Sequence, residues 1–110
     1  SMPNVVYRLN DNLVVARGVS TIDQNGKTVF LTATAVVQLT LRVNGALVPG
    51  ETWPMALTYI AGSSGDFQGN LKDTLTLPVA GLATAQLIVD NGADQRGELL
   101  IDLNIQTRKS

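Results

Sequence analysis

The chain has 110 residues, with eight Lys and Arg, nine Asp and Glu, no His and no Cys. That length fits one domain. The missing Cys exclude a disulfide framework, a thiolate nucleophile and Cys-ligated zinc or iron–sulfur, and the missing His remove the commonest general base and metal ligand.

In chain order the pattern is strand after strand. Asn4 to Leu9 reads as a short strand, Asn10-Asp11-Asn12 as a polar turn, and Leu13 to Val19 as the returning strand. Together they predict a hairpin-like N-terminal arm. Asn25-Gly26 supplies the positive φ of a second tight turn, ahead of a short strand from Lys27 to Leu31. From Ala33 the alternation is clean: Ala35, Val37, Leu39, Leu41 and Val43 share one face, and Gln38, Thr40, Arg42 and Asn44 the other. Asn44-Gly45 and Pro49-Gly50 turn the chain. Trp53, Met55, Leu57 and Tyr59 then alternate along a strand from Thr52 to Ile60. Asp66 to Leu71 starts another strand, and Thr74 to Leu77 reads as a further short one. Ala83, Ala85, Leu87 and Val89 mark a long strand; so do Leu99, Ile101, Leu103 and Ile105 after the loop at Asn91-Gly92.

No stretch carries a helical period. Short strands separated by turn chemistry describe a β-sandwich or small barrel. The parities predict a core of Val37, Leu39, Leu41, Leu57, Leu87, Val89, Ile101 and Leu103.

The cadence Val37-Gln38-Leu39-Thr40-Leu41-Arg42-Val43-Asn44-Gly45, then Val48-Pro49-Gly50 and Thr52-Trp53-Pro54, resembles bacterial immunoglobulin-like modules. Gly65-Asp66-Phe67-Gln68-Gly69-Asn70-Leu71 is similar to a recurring stretch of the same modules. The whole order from Asn4 to about Thr107 resembles small immunoglobulin-like proteins of tailed phages and prophages, mostly without assigned function. The one departure is Leu82-Ala83-Thr84-Ala85, which has no Tyr where a tyrosine corner would stand. The resemblance implies an all-β fold: an immunoglobulin-like antiparallel β-sandwich of about seven strands with an N-terminal β-hairpin arm. Residues 1–31 are then the arm and connector, 32–107 the sandwich and 108–110 a tail. It also implies a non-enzymatic structural or accessory protein of a phage or prophage particle, working by protein–protein contact. A carbohydrate or host-surface binding module is the alternative.

Individual residues offer little chemistry. Asp90, Asp94 and Glu98 flank a Gly-containing loop, but the ligand spacing of a calcium loop is missing. Asp66 and Asp73 flank the Phe67 strand as a candidate acid–base pair, but such a pair must face across a cleft that a sandwich of this size rarely has. Ser63 and Ser64 have no His to activate them. Arg8, Arg17, Arg42, Arg96, Arg108 and Lys109 are scattered rather than striped, and net charge is −1, so no nucleic acid partner is expected. No apolar run approaches the ~20 residues of a membrane span, and no signal peptide is read, so the expected location is the virion or the host cytoplasm during assembly. No catalytic, cofactor-binding or metal-binding residue is assigned and no cofactor is expected. The partners expected are a second copy of the chain and other virion proteins.

The candidate interface residues are Val5, Tyr7, Leu9, Leu13, Val15 and Trp53. The first five sit on an arm too small to shelter them. Trp53, beside Pro54, can anchor an interface or stack on a sugar, although its parity points to core. Charged residues are 15% of the chain, against an average near 25%. Little repulsion therefore opposes self-association.

Overall fold

A computed structural model of the chain describes residues 4–92 and 96–107. Its strands are β1 (Val5–Arg8), β2 (Asn12–Ala16), β3 (Ser20–Ile22), β4 (Thr28–Phe30), β5 (Val36–Val43), β6 (Ala46–Leu47), β7 (Met55–Tyr59), β8 (Phe67–Leu71), β9 (Gly81–Asp90) and β10 (Arg96–Thr107). There is no helix among the described residues. Eight strands form one mixed sheet in the order β1-β10-β9-β5-β7-β8-β2, with β6 beside β5; β3 and β4 pair separately. β1 runs parallel to β10, and every other pairing is antiparallel.

The local chemistry of the turns is as the residues dictate. Asn44 (φ 52°) and Gly45 (φ 81°) form the two-residue link that brings Ala46 opposite Val43. At the β3–β4 tip, the Asp23 carboxylate accepts from the backbone N–H of Asn25 and of Lys27, both at 2.9 Å.

β7 bends the sheet. Met55 and Leu57 pair with Leu39 and Val37 of β5, whereas Thr58 and Tyr59 pair with Gln68 and Phe67 of β8. One strand thus belongs to two pairings along its length, and the sheet curls through it until it is nearly closed into a barrel. The two ends of the path are β1 and β2, which only Leu9, Asn10 and Asp11 separate in the chain.

The expected N-terminal hairpin does not form. β1 pairs with β10 and β2 with β8, at opposite ends of the path. The physical reason is burial: Val6 of β1 and Val14 and Ala16 of β2 are almost wholly buried. A free hairpin could not cover them, and two strands alone are marginal in water. Docking β1 on β10 and β2 on β8 joins both strands to the main sheet and buries that apolar parity. Residues 4–31 are therefore two edges of the main sheet plus the β3–β4 hairpin, not an appended arm. Leu31, at the expected boundary, is itself buried in the core.

The Asn12 side chain stitches the seam between the ends. The Asn12 amide oxygen accepts from Tyr7 N–H at 3.0 Å, and its NH₂ donates to Tyr7 O at 2.8 Å. A side-chain amide here copies the donor–acceptor pair that a neighbouring strand would present.

The core follows the parities read from the sequence. Val37, Leu39, Leu41, Leu57, Leu87, Val89 and Leu103 are buried; Ile101 is half-buried and packs against them. Phe67, Leu71 and Val48 are among the further residues packed in it. Residues 74–77 are not a strand, although Leu75 and Leu77 are buried. This segment crosses the core as irregular chain, held where Thr76 N–H donates to Pro49 O at 3.0 Å. An alternating apolar pattern needs only two inward side chains, which extended coil also supplies.

Candidate functional site

The polar groups singled out in the sequence are mostly engaged in local structure. Asp66 accepts from Gly18 N–H at 2.9 Å and lies 3.4 Å from the Arg17 guanidinium. Asp73 is exposed beyond the far end of β8, where its N–H donates to Asp11 at 3.0 Å. Six residues separate Asp66 from Asp73, five of them in β8, a span of about 20 Å at strand rise, so these carboxylates do not meet. Ser63 Oγ donates to Ile60 O at 2.6 Å and accepts from Asp66 N–H at 3.2 Å, while Tyr59 Oη donates to Ser63 O. These bonds shape the β7–β8 turn. Asp90 accepts from Gly92 N–H at 2.9 Å and lies 3.4 Å from the Arg96 guanidinium. Asp94, Arg108 and Lys109 lie outside the described residues. Among the described residues no three of His, Cys, Asp and Glu are grouped so as to hold a metal ion, and no helix is long and apolar enough to cross a membrane.

The candidate interface residues scatter. Val5, Tyr7 and Val15 are half-buried on β1 and β2. Leu9 and Leu13 are each 63% exposed near the seam. Trp53 is half-buried against the core, and its indole N–H donates to Val48 O at 2.8 Å. Trp53 is thus tied into its own chain rather than presented with the others.

Among the described residues a different surface, on β10, has no partner strand. The strand is twelve residues long, but β1 pairs only with Asn104–Thr107. Asn104 N–H donates to Asn4 O at 2.8 Å, so the backbone groups of Asn104 point away from β9. Direction alternates along an antiparallel strand. The N–H and C=O of Arg96, Glu98, Leu100 and Asp102 therefore also point away from β9. Among the described residues no backbone group bonds to them on that side. Leu99 is 50% exposed and Leu100 60%.

Beneath this edge lies a cleft of about 330 Å³. Its floor is Leu87, Val89 and Leu99 of the β9–β10 ribbon, and its opposite wall is Ala16, Val19 and Thr21. The ribbon makes it: β10 extends about 40 Å at strand rise, nearly the 48 Å long axis of the molecule, whereas β2 and β8 have five residues each. The ribbon therefore outruns the strands that cover its inner face. The sequence signals both long strands by alternation, but nothing in it says that β10's neighbour is only four residues long.

No protein-family model, curated protein or solved structure matches the chain.

Proposed function

We propose that the chain is a non-enzymatic structural or accessory protein of a phage or prophage particle, present in the virion or in the host cytoplasm during assembly, and that it works by protein–protein contact. The observation that carries the contact reading is the open edge of β10, with Leu99 and Leu100 beside it. An uncovered strand edge offers a row of unpaired backbone groups to another chain, and natural proteins normally blunt such edges. The particle setting rests on the resemblance of the whole order from Asn4 to about Thr107 to small immunoglobulin-like proteins of tailed phages and prophages.

The same resemblance makes the nearly closed sheet an immunoglobulin-like sandwich. Support comes from β7, which divides the sheet into a β1-β10-β9-β5 part and a β8-β2 part. Buried residues of both parts then face a common core. Protein rather than carbohydrate is the preferred partner, because Trp53, the strongest candidate for stacking on a sugar, packs on its own core.

The test is quantitative mass spectrometry on gradient-purified particles from an induced culture of the encoding strain, with crosslinked assembly intermediates alongside. Stoichiometric copies in either fraction support the reading. Absence from both overturns it.

A further inference from the structure

We infer that β10 is the dimerisation edge of this protein, pairing antiparallel with β10 of a second copy about a two-fold axis at Leu99. This deepens the protein–protein reading above and rests on it.

The argument is one of register. Arg96, Glu98, Leu100 and Asp102 present their backbone groups outward, so in any new ladder these residues must exchange the hydrogen bonds. A two-fold axis then allows few solutions within the described strand. An axis at Glu98 sets the two Glu98 carboxylates directly opposite each other. An axis at Leu100 sets Glu98 opposite Asp102 twice. Both oppose like charges, which destabilises a strand pair. An axis at Ile101 needs Asn104, whose outward side β1 already holds. An axis at Gly97 leaves only Arg96 and Glu98 to pair before the β9–β10 loop.

The axis at Leu99 removes these conflicts. Glu98 faces Leu100 of the second copy, and Arg96 faces its Asp102, twice by symmetry. In the monomer Arg96 lies 3.4 Å from Asp90, with its side chain 79% exposed. An ion pair so exposed contributes little, and Arg96 is available to a partner. On the inner face the two Leu99 side chains meet as a non-hydrogen-bonded pair, the closer of the two spacings in an antiparallel ladder. They meet beside the cleft lined by Leu87 and Val89, so a side chain that is 50% exposed in the single chain gains further cover. The contact is isologous and closes after two copies.

The absence of cysteine makes a clean test possible. Full-length Leu99→Cys carries one thiol, and at the axis the paired Cα atoms lie about 4.5 Å apart, within disulfide reach. Leu100→Cys is the control: its Cα atoms are offset by two residues along the strands, beyond about 7 Å and out of reach. Leu99 is half-exposed, so the exchange leaves the folded core intact. In parallel, Arg96→Asp and Asp102→Arg are compared with the double exchange by sedimentation. Each single variant should weaken dimerisation about tenfold or more, and the double variant should restore it.

The expected result is a dimeric parent, rapid oxidation of Leu99→Cys alone to a covalent dimer, and rescue by the charge exchange. A folded parent that stays monomeric at high micromolar concentration overturns the inference. So does a dimer in which Leu99→Cys crosslinks no faster than Leu100→Cys, or one in which the double exchange fails to rescue. None of these outcomes bears on whether the chain is found in particles, so the two readings fail separately.

Discussion

Removing the Asn12 side chain tests whether the curled sheet is held shut where its two ends meet. Asn12→Ala deletes the acceptor for Tyr7 N–H at 3.0 Å and the donor to Tyr7 O at 2.8 Å, together with a turn bond to Asn10 O at 3.1 Å. A net intramolecular hydrogen bond contributes about 0.5–1.5 kcal/mol. The seam is only part-buried, so water reaches the freed groups and the full cost of an orphaned buried amide does not apply. The two seam bonds then set the loss at about 2 kcal/mol. For a domain near this size 1 kcal/mol moves the melting temperature by about 4–8 °C, so thermal unfolding followed by circular dichroism should show a drop of about 8–15 °C. Hydrogen exchange supplies the local readout: the Tyr7 amide should lose its protection in the variant while amides in β9 keep theirs. Asn10→Ala, which removes one bond to Arg8 O, should fall less. If Asn12→Ala melts within 2 °C of the parent, or Tyr7 exchanges no faster, the stitched seam is not what holds β1 and β2 together.

Three further perturbations are predicted. Leu39→Ala or Leu103→Ala, each at a buried position, should cost about 2–5 kcal/mol in chemical denaturation; two variants as stable as the parent would refute the parity assignment. Gly65 has φ 79°, and a Cβ there would collide with Val19 O and lie 2.9 Å from Val19 N. Because Val19 N–H also donates to Gly65 O at 2.8 Å, Gly65→Ala should separate the two segments and lower the melting temperature by at least 8 °C, for a loss of about 2 kcal/mol; an unchanged melt would show that the two segments yield without strain. Trp53→Phe keeps an aromatic ring but loses the bond to Val48 O and part of the indole's packing on the core, and should cost about 1–3 kcal/mol; its dimerisation constant should match the parent's, and a weakened dimer would return Trp53 to the interface.

The sequence by itself determined the all-β class, most of the strands and the side chains that form the core. These are local properties. Alternation at Val37-Leu39-Leu41 and at Ala83-Ala85-Leu87-Val89 assigns each side chain to a face whatever strand lies beside it. Asn44-Gly45 likewise makes its turn without help from the rest of the fold. Strand pairing is not local, and there only the tertiary structure decided. Asn10-Asp11-Asn12 reads as a hairpin turn because two apolar strands flank it, yet the backbone partners of those strands lie in β10 and β8. Pairing with β10 and β8 wins because it joins both strands to a large sheet that buries Val6, Val14 and Ala16, which a two-stranded hairpin cannot do. A protein lacking its first 26 residues would therefore lose two strands of the sheet rather than shed an arm. The open edge follows from the same non-local pairing. Leu99 and Leu100 read as ordinary strand residues; among the described residues β1 pairs with only four of the twelve residues of β10, which leaves the backbone beside them without a partner strand.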